Sequence, residues 1–219
     1  MIFKGFFLLL LGLGIFVLVQ VVMPYLAFKS WEIIAFDNDS LLVDPNPRGV
    51  RQAVLGVSEQ EFSIQSIGNF PAFVSKRTIL APEYREFFLS IPKLKLEKIK
   101  VLTNSNDFSE TLAQLPGTAM PGEKGNLFIT GHSSLPINLD RKLVPFFKDL
   151  PNIKSGDEII LEAGNQKFIY TVMGLKIVDP KDISVIEPPE GLGRYLTLMT
   201  CVPPGFNTKR LIVLSKIKI

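Results

Sequence analysis

The only cysteine in the chain stands at the end of an apolar, β-prone run. That run is "RYLTLMTC", and Cys201 is followed at once by "VPPG", which does not continue a strand comfortably. A cysteine beside a loop can act as a nucleophile, because the thiolate attacks carbonyl carbon. A free thiol with a pKa of about 8.5 is only a few per cent ionised at neutral pH. A nearby fixed positive charge would favour the thiolate.

Arg210 and His132 are the candidate partners of this thiol. The residues between Cys201 and Lys209 predict a loop that joins antiparallel neighbours, so Cys201 and Arg210 should lie near its two ends, about 5 to 8 Å apart. Arg210 could then donate hydrogen bonds to an oxyanion. His132, the only histidine, follows the apolar run "NLFIT" and Gly131. An imidazole with a pKa near 6.5 suits proton exchange in acyl transfer. That His132 and Cys201 share one rim is an assumption at this stage.

Each of these side chains also has a purely structural interpretation. A lone cysteine in an apolar strand is often a small buried hydrophobe. His132, which is flanked by Gly131 and two serines, would by default be a solvated loop residue. Arg210 would by default be a surface charge on a strand, and the neighbouring Lys209 could serve equally well as the positive charge. The position of Cys201 beside a Pro-Gly loop favours the catalytic interpretation over the structural one.

The elements that must position these residues are short strands. From Glu86 onward, turn signals separate short apolar runs at the intervals typical of an all-β barrel or sandwich. The runs are "EFFLSIP", "LEKIKVL", "GNLFITG", "DEIILEA", "QKFIYTVMGLKIV", "RYLTLMT" and "KRLIVLSKI". Only Leu139 to Leu150 has a helical pattern, and Pro145 limits it to a turn or two.

Composition excludes several functions. The 219 residues fit one domain of ordinary size plus extra segments, and 24 basic against 21 acidic residues, interspersed along the chain, form no basic stripe for nucleic acid. One cysteine and one histidine allow neither an internal disulfide nor a zinc site built on two cysteines or two histidines. The sequence near His132 contains no dense acidic cluster of the kind that would indicate a calcium site. The sequence therefore predicts no cofactor and no metal.

The N-terminus predicts a membrane anchor over residues 5–28. This run carries no charge and is long enough for a bilayer, which needs roughly 20 apolar residues. A cleaved signal peptide is the alternative, but no clean cleavage site follows. The long polar C-terminal part is the natural passenger, which places it outside the cell membrane. The predicted organisation is an anchor at 1–29, a juxtamembrane segment with a few short strands or a helix turn at 30–85, and a β-barrel at 86–219.

The motif "TLMTC", together with Arg210 and the "GH" that contains His132, resembles the TLxTC signature and the catalytic residues of sortases. The resemblance extends from Glu86 to Ile219 in the family's order. It implies a mostly β fold, an eight-stranded sortase-like barrel with short helices after one transmembrane helix. It also implies transpeptidation at a C-terminal sorting signal of LPXTG type by a single-pass, extracytoplasmic enzyme.

By this resemblance, Cys201 attacks the carbonyl before the scissile bond, His132 is the acid and base, and Arg210 positions substrate and steadies the oxyanion. Leu198 and Thr200 of the motif are weaker candidates for substrate binding. The implied partners are surface proteins with a sorting signal, the membrane, and an amine acceptor such as a cell-wall precursor peptide or a pilin lysine.

Several alternatives stay open. The "DPN" at Asp44 to Asn46 resembles the Asp-Pro-aromatic lid of pilus-building sortases, but Asn46 replaces the aromatic residue, which favours a spacer or loop. A class C, D or E-like housekeeping or pilin enzyme is compatible with the sequence. Beyond the family, a thiol hydrolase would release free acid, and a non-catalytic β-domain would only bind a surface partner.

Overall fold

The computed structural model describes residues 2–37, 62–67, 70–75, 84–134, 143–205 and 208–218. The "DPN" at Asp44 to Asn46 lies outside these ranges. The chain divides into two compact units, 1–39 and 40–219.

The first unit is a single long helix. Helix α1 covers Ile2–Asp37, and its stretch Leu9–Ile33 has a mean hydropathy of 2.3. Its 25 residues are long and apolar enough, by length and composition, to cross a membrane. Large apolar side chains such as Leu9 and Leu18 are exposed on it, as an anchor within lipid would require. This helix is the structural counterpart of the apolar run found in the sequence.

A two-stranded hairpin precedes the barrel. Strand β1, Phe62–Ile67, pairs antiparallel with β2, Phe70–Ser75. The sequence predicted short strands in this part of the chain, and this pair agrees with that expectation. The division of the chain at residues 29 and 85 remains a prediction.

The remaining strands close into an eight-stranded barrel, which confirms the predicted fold class. The strands are β3 Glu86–Ile91, β4 Leu96–Leu102, β5 Leu112–Gln114, β6 Gly125–Thr130, β7 Glu158–Ala163, β8 Gln166–Val178, β9 Arg194–Val202 and β10 Lys209–Ile217. Their order around the barrel is β10, β8, β7, β3, β4, β5, β6 and β9, with β9 pairing again with β10. The β4–β5 and β6–β9 pairs are parallel, and the other pairs are antiparallel.

Alternate residues of β9 and β10 face opposite sides of the barrel wall, because side chains alternate along a strand. In one set, Leu196, Leu198 and Val213 are fully buried. The other set contains Met199 and Ile212, which pack against Ile186 of the β8–β9 connection. A connection between strands lies outside a closed barrel, so this second set is the outer face. Cys201 and Arg210 belong to it by register.

Two details differ from the sequence prediction. Strand β5 was not predicted, because it has only three residues and no alternation to mark it. The helical pattern at Leu139 to Leu150 is not helical in its described part from residue 143, where a turn leads into a 3₁₀ helix at Leu150–Asn152. Pro145 and Pro151 each remove a backbone donor, which prevents a longer α-helix.

Candidate active site

His132 and Cys201 emerge at the same end of the barrel. Strands β6 and β9 are parallel neighbours, with Thr130 opposite Met199. Just beyond this pair, the Gly131 N–H donates to the Met199 carbonyl at 3.2 Å. His132 therefore follows β6 at about the level where Cys201 follows Met199 on β9. The shared rim assumed from the sequence is present in the structure.

Arg210 lies on β10, which neighbours β9 on the side opposite β6. It is directly opposite Cys201 in the antiparallel β9–β10 pair, and the residue is only 1% exposed. Its Nη1 donates to the Lys209 carbonyl at 3.0 Å. Lys209 faces away from Cys201 by strand alternation, is exposed, and has its Nζ 3.7 Å from Asp179 Oδ2. Arg210 is thus not a surface charge, and Lys209 is not placed to replace it.

Thr200 ties the ends of the two parallel strands together. Its Oγ1 donates to the Gly131 carbonyl at 2.8 Å, one residue before the histidine. Thr200 and Leu198 are both buried and point to the opposite side of β9 from Cys201. Their role in substrate binding remains a prediction, and the contact of Thr200 favours a positioning role. The loops that follow β6 and β9 are also joined, because the Gly205 N–H donates to Ser134 Oγ at 3.1 Å.

Gly131 allows the histidine loop to pack closely. A Cβ at this position would lie 2.4 Å from Leu112 Cδ2 and 2.9 Å from Phe147 Cδ2. Both neighbours are fully buried, so neither can move aside easily. The lack of a side chain at Gly131 therefore lets the backbone pass close to Leu112 and Phe147, and this close approach fixes the position of His132.

His132 packs on an aromatic ring that the sequence analysis did not single out. The rings of Phe108 and His132 are 4.5 Å apart, centroid to centroid, with a 43° interplanar angle. The carbonyl of His132 accepts the Phe147 N–H at 3.0 Å. The imidazole is thus half-buried and held, whereas a solvated loop histidine would be free to rotate.

The protonation of His132 depends on burial and on one carboxylate. Burial lowers the pKa of the imidazole, and the negative charge of Asp107 partly opposes this effect. Asp107 is itself fixed, since its Oδ1 accepts the Ser109 N–H at 3.0 Å, and hydrogen bonding to Ser109 lowers the pKa of Asp107. Asp107 and Phe108 lie in a polar loop without periodicity, so no sequence signal marked them.

The thiol of Cys201 is also subject to two opposing effects. Burial raises its pKa, and the positive charge of Arg210 lowers it in part. The sequence-based expectation that Arg210 would favour thiolate is correct in sign, but burial is the larger effect. At neutral pH the resting site therefore holds mainly a neutral thiol and a neutral imidazole. An acid and a base in this state are suited to transfer a proton between them.

Among the described residues, no group of three or more His, Cys, Asp and Glu side chains is arranged to hold a metal ion. The site chemistry described above uses only protein side chains.

Comparison with known proteins identifies the family of this chain. The model of the Sortase domain matches residues 89–218, which include Cys201, His132 and Arg210. The chain belongs to the sortase family. The family resemblance found in the sequence is therefore confirmed, and the subclass stays open.

Individual sortases share part of this chain. Sortase A from Bacillus anthracis is 34% identical over 130 residues, which cover 57% of this chain and 56% of that protein. Sortase SrtE1 from Streptomyces coelicolor is 34% identical over 110 residues, which cover 45% of this chain and 28% of that protein. The chain thus spans from about a quarter to about half the length of these two relatives.

A solved sortase has the same fold. The lid mutant of Sortase A from Corynebacterium diphtheriae superposes with a TM-score of 0.54 at 26% identity, covering 64% of this chain and 73% of that one. The barrel is therefore a sortase barrel.

Proposed function

We propose that this protein is a membrane-anchored cysteine transpeptidase that acts on C-terminal sorting signals of LPXTG type. The observation that carries the proposal is the arrangement of three strand ends. Cys201 is the next-to-last residue of the middle strand, β9, while His132 follows the parallel neighbour β6 and Arg210 lies near the start of the antiparallel neighbour β10. Neighbouring strands are about 4.8 Å apart, so the three side chains start from adjacent positions at one rim of the barrel.

In the first step, Cys201 Sγ attacks the carbonyl carbon before the scissile bond as its proton passes to His132. The carbonyl oxygen becomes an oxyanion, to which the Arg210 guanidinium donates hydrogen bonds. When the tetrahedral intermediate collapses, the C–N bond breaks and His132 returns its proton to the leaving amine. The product is a thioester on Cys201 and a free amine.

In the second step, an amine acceptor attacks the thioester carbon. His132 takes a proton from the incoming amine, the C–S bond breaks as the new amide forms, and His132 passes that proton to the departing sulfur, which regenerates the thiol. The acceptor proposed here is a cell-wall precursor peptide or a pilin lysine. The family to which the chain belongs supports this chemistry.

Helix α1 supports a location at the membrane. Its apolar stretch suits a single span, with the barrel on the outer side, where surface proteins carrying a sorting signal would reach it. The anchor would keep the enzyme near partners that also leave the cell through the membrane.

The full chain in detergent tests the proposal. It is incubated with a panel of peptides containing Leu-Pro-X-Thr-Gly, with and without triglycine, and the products are measured by mass spectrometry. We expect a ligated product that requires triglycine and disappears in Cys201→Ala. Free acid that is independent of triglycine would indicate a thiol hydrolase instead. Peptide binding without any product would indicate a non-catalytic domain.

A further inference from the structure

A short helix covers the outer face of the barrel beside the thiol. The β8–β9 connection contains the 3₁₀ helix Ile183–Ile186. Its Ile186 is buried in an apolar cluster, against which Ile183 and Val185 also pack. The other members of the cluster are Leu115, Phe128, Val178, Met199 and Ile212. The Met199–Ile212 cross-strand pair is the next one on this face after Cys201–Arg210. A peptide whose carbonyl reaches Cys201 and extends over this face must therefore pass the helix.

Two buried polar side chains hold the backbone of this helix. Asn126 Nδ2 donates to the Ile186 carbonyl at 3.0 Å and to the Val185 carbonyl at 3.4 Å. Thr197 Oγ1 donates to Asn126 Oδ1 at 2.9 Å. Asn126 is 4% exposed and Thr197 0%. The hydrogen bonds run from β9 through β6 to the helix, and we call Asn126 and Thr197 the clamp.

The clamp fixes the orientation of the helix, which apolar packing alone does not. Contacts between Ile186 and the cluster are non-directional, whereas hydrogen bonds to two carbonyls fix the height and rotation of the helix. A cleft borders the clamp, and among its lining residues are Ser184 and Val185 of the helix, Thr197, Ile212 and Leu214. On this side, the hydrogen bonds of the clamp hold the helix in addition to the packing of Ile186.

The helix is also capped by its own sequence. Asp182 Oδ1 accepts the Ser184 N–H at 3.2 Å, an N-cap bond that stabilises the first turn. Loss of the clamp should therefore shift the helix without unfolding the barrel beneath it.

We infer that Asn126 and Thr197 are positioning residues for the peptide substrate. They hold Ile183–Ile186 as an apolar wall beside Cys201 and thereby raise the affinity for peptide, without contacting the reacting atoms. The inference rests on the proposed transpeptidase function for its kinetic consequence. Its structural part, the clamping of the helix, is independent of that function.

The test compares Thr197→Val with Thr197→Ser in the full chain in detergent. Valine has nearly the shape of threonine but lacks the donor, while serine keeps it. Ser215→Ala is the matched control, since Ser215 is a buried hydroxyl on neighbouring β10 whose Oγ has no hydrogen-bond partner among the described residues. Amide hydrogen exchange of residues 183–187 is measured without peptide. Steady-state kinetics are measured with a Leu-Pro-X-Thr-Gly peptide and triglycine.

For Thr197→Val we expect faster exchange confined to residues 183–187. We also expect a KM about fivefold higher with kcat nearly unchanged, the effect of one buried hydrogen bond. Thr197→Ser and Ser215→Ala should behave as wild type. Should Thr197→Val fail to fold, Asn126→Asp serves as a second variant, because it keeps the acceptor for Thr197 but removes the donor to the helix.

Several results would overturn the inference. Unchanged exchange at 183–187 would show that the clamp does not hold the helix. Faster exchange throughout the barrel would show that the pair only stabilises the fold. A lower kcat at constant KM would place the effect on the chemical step. A wild-type chain that joins no peptide would contradict the proposed function, and the exchange pattern would then decide the clamp alone.

Discussion

At the scale of single residues, the candidate site is governed by burial. Burial raises the pKa of the Cys201 thiol and lowers that of the His132 imidazole, while Arg210 and Asp107 each oppose the shift of one partner. These shifts move the two pKa values apart, which favours the form with a neutral thiol and a neutral imidazole at neutral pH. This form is the one that the proposed mechanism uses.

The pH dependence of kcat/KM should be bell-shaped, because it reports the essential groups of the free enzyme. The acid limb should lie below the ordinary imidazole pKa of 6.5, and the alkaline limb should lie above the ordinary pKa of a free thiol. In Asp107→Asn, loss of a negative charge disfavours imidazolium, so the pKa of His132 falls further. The acid limb should accordingly move to lower pH, which a pH profile of the ligation rate would show.

Glu110→Gln is the control for this change. It removes a neighbouring exposed carboxylate of the same loop, and no effect of Glu110 contributes to the pKa shift of His132. Its acid limb should stay at the wild-type position. An acid limb that moves to higher pH in Asp107→Asn, or that moves equally in both variants, would contradict the assigned influence of Asp107.

At the scale of the elements, most strands follow from local pattern. The alternation and β-branched residues of "QKFIYTVMGLKIV" predict a strand over the residues that form β8. The pattern does not reveal β5, whose three residues are held by neighbours that only the closed barrel supplies. The parallel β6–β9 pairing is likewise non-local. Without it, the sequence could name His132 and Cys201 but not bring them together.

The polar residues of the site were harder to predict than its apolar frame. Asn126 interrupts the apolar run "GNLFIT", and a buried amide in such a run is a signal that was available. Its partners, the Val185 and Ile186 carbonyls, are about sixty residues away along the chain. Phe108 carries no comparable signal, since its contact with His132 depends on the path of an irregular loop.

Gly131→Ala tests how closely the histidine loop must pack. The added methyl would meet Leu112 and Phe147, so the loop or the core must shift. We expect a loss of stability of about 1–3 kcal/mol, typical of overpacking, and a lower kcat because His132 is displaced. Denaturant unfolding and ligation kinetics measure the two effects.

Gly191→Ala is the matched control for this substitution. A Cβ there meets nothing within 4 Å. Its stability should stay within about 0.5 kcal/mol of wild type. Wild-type stability and kcat in Gly131→Ala would show that the close approach at Gly131 is not required.

At the scale of the whole molecule, helix α1 and the barrel are separate compact units. The barrel closes on itself by β9–β10 pairing, and Cys201, His132 and Arg210 all belong to the unit that contains it. The proposed anchor should therefore determine where the enzyme is, while the barrel determines what it does.

Deletion of residues 2–37 tests this division. The stretch Leu9–Ile33 has 25 residues, which at a rise of 1.5 Å per residue is about 37 Å of helix, enough for a hydrocarbon core of about 30 Å. The full chain should stay in the membrane fraction after an alkaline carbonate wash, whereas the truncated chain should be released. The truncated chain should still join a soluble Leu-Pro-X-Thr-Gly peptide to triglycine at a rate near that of the full chain in detergent.

Replacing residues 2–37 with an unrelated apolar helix of equal length should restore membrane retention, since only length and hydropathy matter for anchoring. A full chain that washes off the membrane would contradict the anchor, and a truncated chain that folds but has lost ligation would contradict the independence of the barrel.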